Sequence, residues 1–102
     1  MLNYKKKLAD ADRCQFSRPV TGFLLDVRPK EEGVRGAIFS DALKRFEDGD
    51  SVTITEIKET CHEHGYSLFL TADGCCYVAV SHLMFLEESF NGVPQTVILR
   101  AS

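Results

Sequence analysis

The stretch TCHEHGYSLFLTADGCC, residues 60–76, brings Cys61, His62, His64, Cys75 and Cys76 into one short span. Thiolates and imidazoles are the usual ligands of zinc, which holds each of them about 2.0–2.3 Å away. Tyr66-Ser-Leu-Phe-Leu-Thr71 reads as a strand, and Asp73-Gly74 after it as a two-residue hairpin turn. That turn places Cys75 opposite Ala72 at one end of the strand, while His62 and His64 lie in the connection at the other end. About six residues at ~3.3 Å each separate the two ends by roughly 20 Å. The thiols and the imidazoles therefore cannot share one ion. Adjacent cysteines also point to opposite faces of a strand, and no Cys-x-x-Cys pair occurs. The expectation is no metal and no cofactor, with one of Cys75 and Cys76 packed as a small core hydrophobe and the two histidines solvated.

The same residues could serve nucleophilic catalysis, with Cys14, Cys61 or Cys76 attacking and His62, His64 or His82 as base. None of them stands in a recognisable local signature, and a thiol reacts only where its pKa is lowered. The seven glycines fall singly or at turns, so no glycine-rich phosphate loop is present. The reading is that the chain has no catalytic residues and is not an enzyme, with a thiol-dependent enzyme as the last of three alternatives.

The elements that would position these groups are mostly strands. Residues 1–18 are polar, with Leu2, Tyr4 and Leu8 as apolar anchors before Phe16, and read as an arm or a short helix. Residues 19–102 read as one β-rich domain. Val20 to Arg28 is a strand stopped by Pro29, with Phe23, Leu25 and Val27 on one face and Leu24, Asp26 and Arg28 on the other. Pro29-Lys-Glu-Glu-Gly33 is a turn, and Val34 to Phe39 returns as the second arm of a hairpin. Ser40 or Asp41 caps a brief helical turn that sends Leu43 and Phe46 into the core. Ser51 to Ile57 alternates, and its pattern extends toward Cys61. Residues 82–90 fit either a helix or an irregular strand, Asn91-Gly92 breaks the pattern, and Gln95 to Arg100 is a closing strand. The expected fold is mainly β with some helix (α+β), a small antiparallel sheet curling into a barrel-like form with one or two short helices.

Composition bounds the function. A chain of 102 residues makes one domain able to fold without staples, and 44% hydrophobic content excludes disorder. No apolar run reaches the ~20 residues of a membrane span, and the basic start lacks a signal peptide's apolar core, so the expected location is the cytoplasm, with reduced thiols. Charge is uneven, near balance at +1 in residues 1–50 and −4 in residues 51–102. A general nucleic-acid binder needs a basic face that this balance does not supply, but a local basic patch remains in the first half. Arg28, Lys30 and Arg35 on the first hairpin are its members, a docking surface for a partner's carboxylates or phosphates. Tyr77 and Phe69 are candidates for base stacking, but their apolar neighbours favour core packing.

The segments GFLLDVRP, GAIFSDALKRF, EDGDSVTITEI and TADGCCYVAV, taken in order, resemble small accessory proteins encoded by bacteriophages and prophages. The resemblance covers about residues 21–80, and its motifs are fold-like rather than catalytic. Cys75-Cys76 stands where plainer polar residues are expected in that group, so no ligand role carries over. The resemblance implies a protein that binds a host protein and inhibits or redirects it, a defence complex being the most concrete target. The main expectation is thus a non-catalytic interaction module acting on a host protein. The alternative is a nucleic-acid-associated regulator using the basic hairpin. Pairing of strand 95–100 with its copy in a homodimer stays open, since an unprotected edge invites it.

Overall fold

The computed structural model describes residues 4–90 and 93–101, with side chains described for residues 4–83. Its elements are one helix, α1 (Tyr4–Asp12), followed by eight strands: β1 (Gly22–Lys30), β2 (Gly33–Phe39), β3 (Ser51–Thr55), β4 (Ile57–Glu63), β5 (Tyr66–Thr71), β6 (Cys76–Ala79), β7 (His82–Phe90) and β8 (Val93–Ala101). The fold is mainly β with one short helix, and no helix among the described residues is long and apolar enough to cross a membrane. The expected break at Asn91-Gly92 lies outside the described residues.

The strands follow the order β3-β2-β1-β6-β5-β4, and β7 joins both β1 and β8. Most pairs are antiparallel, but β1 runs parallel to β6 and, at Val27↔His82, to β7, so the sheet is mixed. It is also not a closed barrel, because among the described residues no ladder joins β3 to β4. These two ends of the strand order are consecutive in the chain. Only Glu56 lies between them, at φ 55°, and this left-handed residue swings the backbone from pairing with β2 to pairing with β5.

Two apolar clusters occupy the two faces. Leu24, Val27, Ile38, Val52, Ile54, Phe69, Cys75, Tyr77 and Ala79 fill the face onto which β3 folds back. Phe23, Leu25, Leu68, Leu70, Cys76, Val78 and Val80 line the other, covered by Ala11 and Leu8 of α1 and by Phe16 and Val20 after it. Tyr4, Leu8 and Ala11 share one stripe of α1, at i, i+4 and i+7. The helix has no acid in its first turn and no base in its last, so packing rather than its dipole holds it in place. With both faces covered, β6 is buried at every position.

The face assignment on β1 needs correction. Leu25 pairs with Ala37 and Arg28 with Arg35, which leaves Asp26 and Val27 opposite Gly36 alone. This is a β-bulge, with Asp26 at φ 56°. Its N–H donates to Ser81 Oγ at 2.9 Å, and that of Val27 to the Ser81 carbonyl at 2.9 Å. One extra residue inverts the alternation. Val27 therefore joins Leu24 rather than Leu25, and Arg28 comes to the Phe23–Leu25 face. The strand also continues through Pro29 to Lys30, since beyond Val27 it pairs with β2 only and a proline there interrupts no second ladder.

The turns differ as well. His64 and Gly65, at φ 54° and 83°, are the two-residue turn of the β4–β5 hairpin, with both central residues left-handed. Asp73-Gly74 belongs instead to a three-residue loop, 72–74, in which Gly74 alone takes positive φ, at 89°. Cys75 thus lies across from Thr71, whose N–H donates to its carbonyl at 3.0 Å. Residues 82–90 form a strand, not a helix. The brief helix at 42–46 is absent: Lys44 sits at φ 57°, and Leu43 and Phe46 are exposed instead of core.

Candidate functional site

The thiols and imidazoles are dispersed. Cys75 faces the inner cluster and Cys76 the outer, as opposite-pointing neighbours on a strand must. His62 pairs with Ser67 and its ring meets that hydroxyl at 3.3 Å, while the His64 ring meets the Gln15 carbonyl at 2.8 Å. Cys61 packs against the outer cluster that holds Cys76, opposite Leu68 where Cys76 is opposite Leu70. Two strand spacings and a two-residue offset put the backbones of these two cysteines roughly 12 Å apart. Among the described residues, no three of His, Cys, Asp and Glu converge on a metal position, and no thiol is hydrogen-bonded to an imidazole.

Burial pushes the Cys61 and Cys76 thiols above the usual thiol range; Glu59 adds to the effect at Cys61, and Arg18 opposes it at Cys76. A raised pKa leaves little thiolate at neutral pH. Alkylation by iodoacetamide at pH 7 is expected to be slow at these two cysteines in the folded chain and fast in urea. A mass-spectrometric time course measures it, and rapid native labelling of either one contradicts the assignment.

The basic hairpin presents a different arrangement. Arg28 on β1 and Arg35 on β2 are directly opposite one another, both half-buried, with the exposed Lys30 two residues further along β1. Directly opposed like charges on one sheet face repel. The two guanidinium groups are drawn in different directions: Arg28 donates to the Asp26 carbonyl at 3.0 Å, and Arg35 crosses to Thr53 Oγ1 on β3 at 2.8 Å. Arg28, Arg35 and Thr53 thus form one row across three strands. Lys30 stands with Glu31, Glu32, Thr53 and Thr55 around a shallow depression at the hairpin tip. The three residues singled out from the sequence are brought onto one hairpin, with Arg28 and Arg35 adjacent and Lys30 at its end.

A second polar centre is visible in the sequence only as the Asp41 cap and not in its link to Tyr77. Asp41 is 4% exposed, and its carboxylate accepts backbone N–H bonds from Leu43 at 3.1 Å, Arg45 at 2.8 Å and Phe46 at 3.1 Å. Burial pushes its carboxyl up, but the three donors and the Arg45 charge outweigh that and hold it below the ordinary value. The Arg45 guanidinium donates to Tyr77 Oη at 2.7 Å, lies 3.8 Å from Asp41 and stands 5.5 Å over the Phe46 ring. Arg45 and Tyr77 are 32 residues apart, so only the fold brings them together. Phe69 and Tyr77, the candidates for base stacking, are a buried cross-strand pair of the inner cluster.

No family model, no curated protein and no solved structure matches this chain.

Proposed function

We propose that the chain is a non-catalytic interaction module that docks an anionic site of a host protein onto the Arg28–Arg35 row. The observation that carries this reading is the in-register opposition of the two arginines. Apart from the Arg35 bond to Thr53, half-buried like charges facing each other across two strands add repulsion rather than attraction between β1 and β2, yet they form a receptor for a carboxylate or phosphate. Lys30 adds a third positive charge on the same hairpin. The resemblance to phage and prophage accessory proteins supports a host protein as the partner class, and inhibition or redirection as the outcome.

The test is quantitative capture from bacterial lysate on the immobilised chain, compared with Arg28→Ala/Arg35→Ala. The expectation is a stoichiometric protein retained by the natural sequence and reduced about tenfold or more by the double variant, the scale of losing a buried charge pair's partners. Equal capture by both, or none by either, overturns the reading. Salt-sensitive binding of a generic duplex, lost in the double variant, would instead put nucleic acid in the partner's place.

A further inference from the structure

A cleft of about 340 Å³ is lined by all five residues of β3 together with Glu56, Thr71, Asp73 and Tyr77. Val52 and Ile54 belong to the inner cluster, whereas Ser51, Thr53 and Thr55 are exposed on the opposite side of the strand. A single cleft that touches both sets runs along the strand's backbone edge. That edge has no partner: among the described residues β3 pairs with β2 alone.

The gap has a cause in the fold. The β5–β6 loop ends level with Glu56, where the Ala72 N–H donates to the Glu56 carbonyl at 3.0 Å. Beyond that point β3 runs on for five residues, roughly 17 Å, with no strand paired to that edge among the described residues, although Arg45 and Phe46 also line the cleft. Its apolar surface is Phe46, 39% exposed, with thin strips of the buried Val52, Ile54 and Tyr77, and the far wall is the β5–β6 loop. Arg45, at the cleft's margin, is engaged by Tyr77 and Asp41. The carboxylates of Glu56 and Asp73 are in no ion pair among the described residues.

We infer that β3 takes up an extended segment of a partner protein as an added strand, a segment with alternating apolar side chains and a basic residue. Backbone hydrogen bonds to the free edge supply the attachment, alternate side chains settle on Phe46 and the exposed strips of Val52, Ile54 and Tyr77, and the basic residue meets Glu56 and Asp73. This site shares Thr53 and its strand with the Arg28–Arg35 row but uses the other edge of β3, and failure of either proposal leaves the other standing.

The probe is a synthetic peptide alternating Val and Thr with Lys at both ends, titrated into the isotope-labelled full chain and followed by amide NMR. The expected result is saturable movement of the Ser51–Glu56 signals and slowed hydrogen exchange within β3. A version N-methylated at alternate residues should bind at least about tenfold more weakly, because it cannot complete the ladder. Replacing its Lys by Glu, or testing Glu56→Gln against the Lys peptide, should weaken binding and reduce its salt dependence. The N-methylated arm alters nothing in the protein, so it decides the matter even if Glu56→Gln perturbs the β3–β4 junction. Unmoved β3 signals, equal binding of the N-methylated peptide, or movement confined to β7–β8 overturns the proposal. So does β3 protection that appears with protein concentration alone, which would make a second copy the occupant.

Discussion

Gly33→Ala is expected to lower the thermal midpoint by more than about 10 °C, the scale of a loss near 3 kcal/mol in a domain of this size. Gly33 begins β2 and pairs with Thr55, the last residue of β3. A Cβ added there would lie 1.8 Å from the Ile54 carbonyl oxygen and 2.9 Å from its carbon, both backbone atoms. A flexible side chain could swing aside, but a backbone carbonyl moves only with its strand. The substitution must therefore push β3 away from β2 at the very point where Glu56 redirects the chain. The Arg35–Thr53 contact lies two pairs along the same ladder and should loosen with it. Differential scanning calorimetry checks the effect. A midpoint within about 3 °C of the natural sequence would mean that β3 can shift freely, contrary to its anchoring by Val52 and Ile54.

The second large effect is expected at Asp41. Removing its carboxylate by Asp41→Ala strands three backbone donors and takes away the anion beside Arg45. Hydrogen bonds to a buried charge contribute about 1.5–3 kcal/mol apiece before the loop relaxes, so a net loss of about 3 kcal/mol is expected. The pH dependence gives a signature that separates this cause from general damage. The folded carboxyl is held below its unfolded value, so its contribution is complete above the unfolded pKa and disappears as pH falls through the folded one. The natural sequence should lose this increment on acidification below about pH 4, while Asp41→Ala lacks it at every pH. Urea denaturation of both proteins at pH 7 and pH 3 measures it. A difference between them that stays constant across that range contradicts the assigned role.

Much of this fold can be read from local pattern. The alternation of Ser51–Thr55 and the opposite faces of Cys75 and Cys76 follow from the two-residue period alone, and the apolar run Leu68–Leu70 marks a strand covered on both faces. The departures arise where distant contacts decide. Asp26 is extended by pattern, but Ser81, 55 residues away, holds the bulge that returns Arg28 to the Leu25 face. The break at Glu56 did leave a trace: Ile57, packed against the same cluster as Val52 and Ile54, comes one residue out of phase. Asp73-Gly74 misleads because a two-residue turn and a three-residue loop both favour Gly at a left-handed position. In the candidate site, composition pointed to the basic hairpin, and pairing made Arg28 and Arg35 direct neighbours. The Asp41–Arg45–Tyr77 group depends on a contact between a loop and β6 that no short window of sequence contains.

We propose that the opposition of Arg28 and Arg35 serves a partner's anion more than it serves the sheet. It can be tested without any partner by measuring urea stability of Arg35→Gln against the natural sequence at low and at high salt. Relief of like-charge repulsion predicts that Arg35→Gln is as stable or more stable by up to about 1 kcal/mol at low salt, with the gap closing as salt screens the pair. A variant less stable by more than about 1 kcal/mol at both salt concentrations would show that the arginine row serves the fold, and would contradict the account.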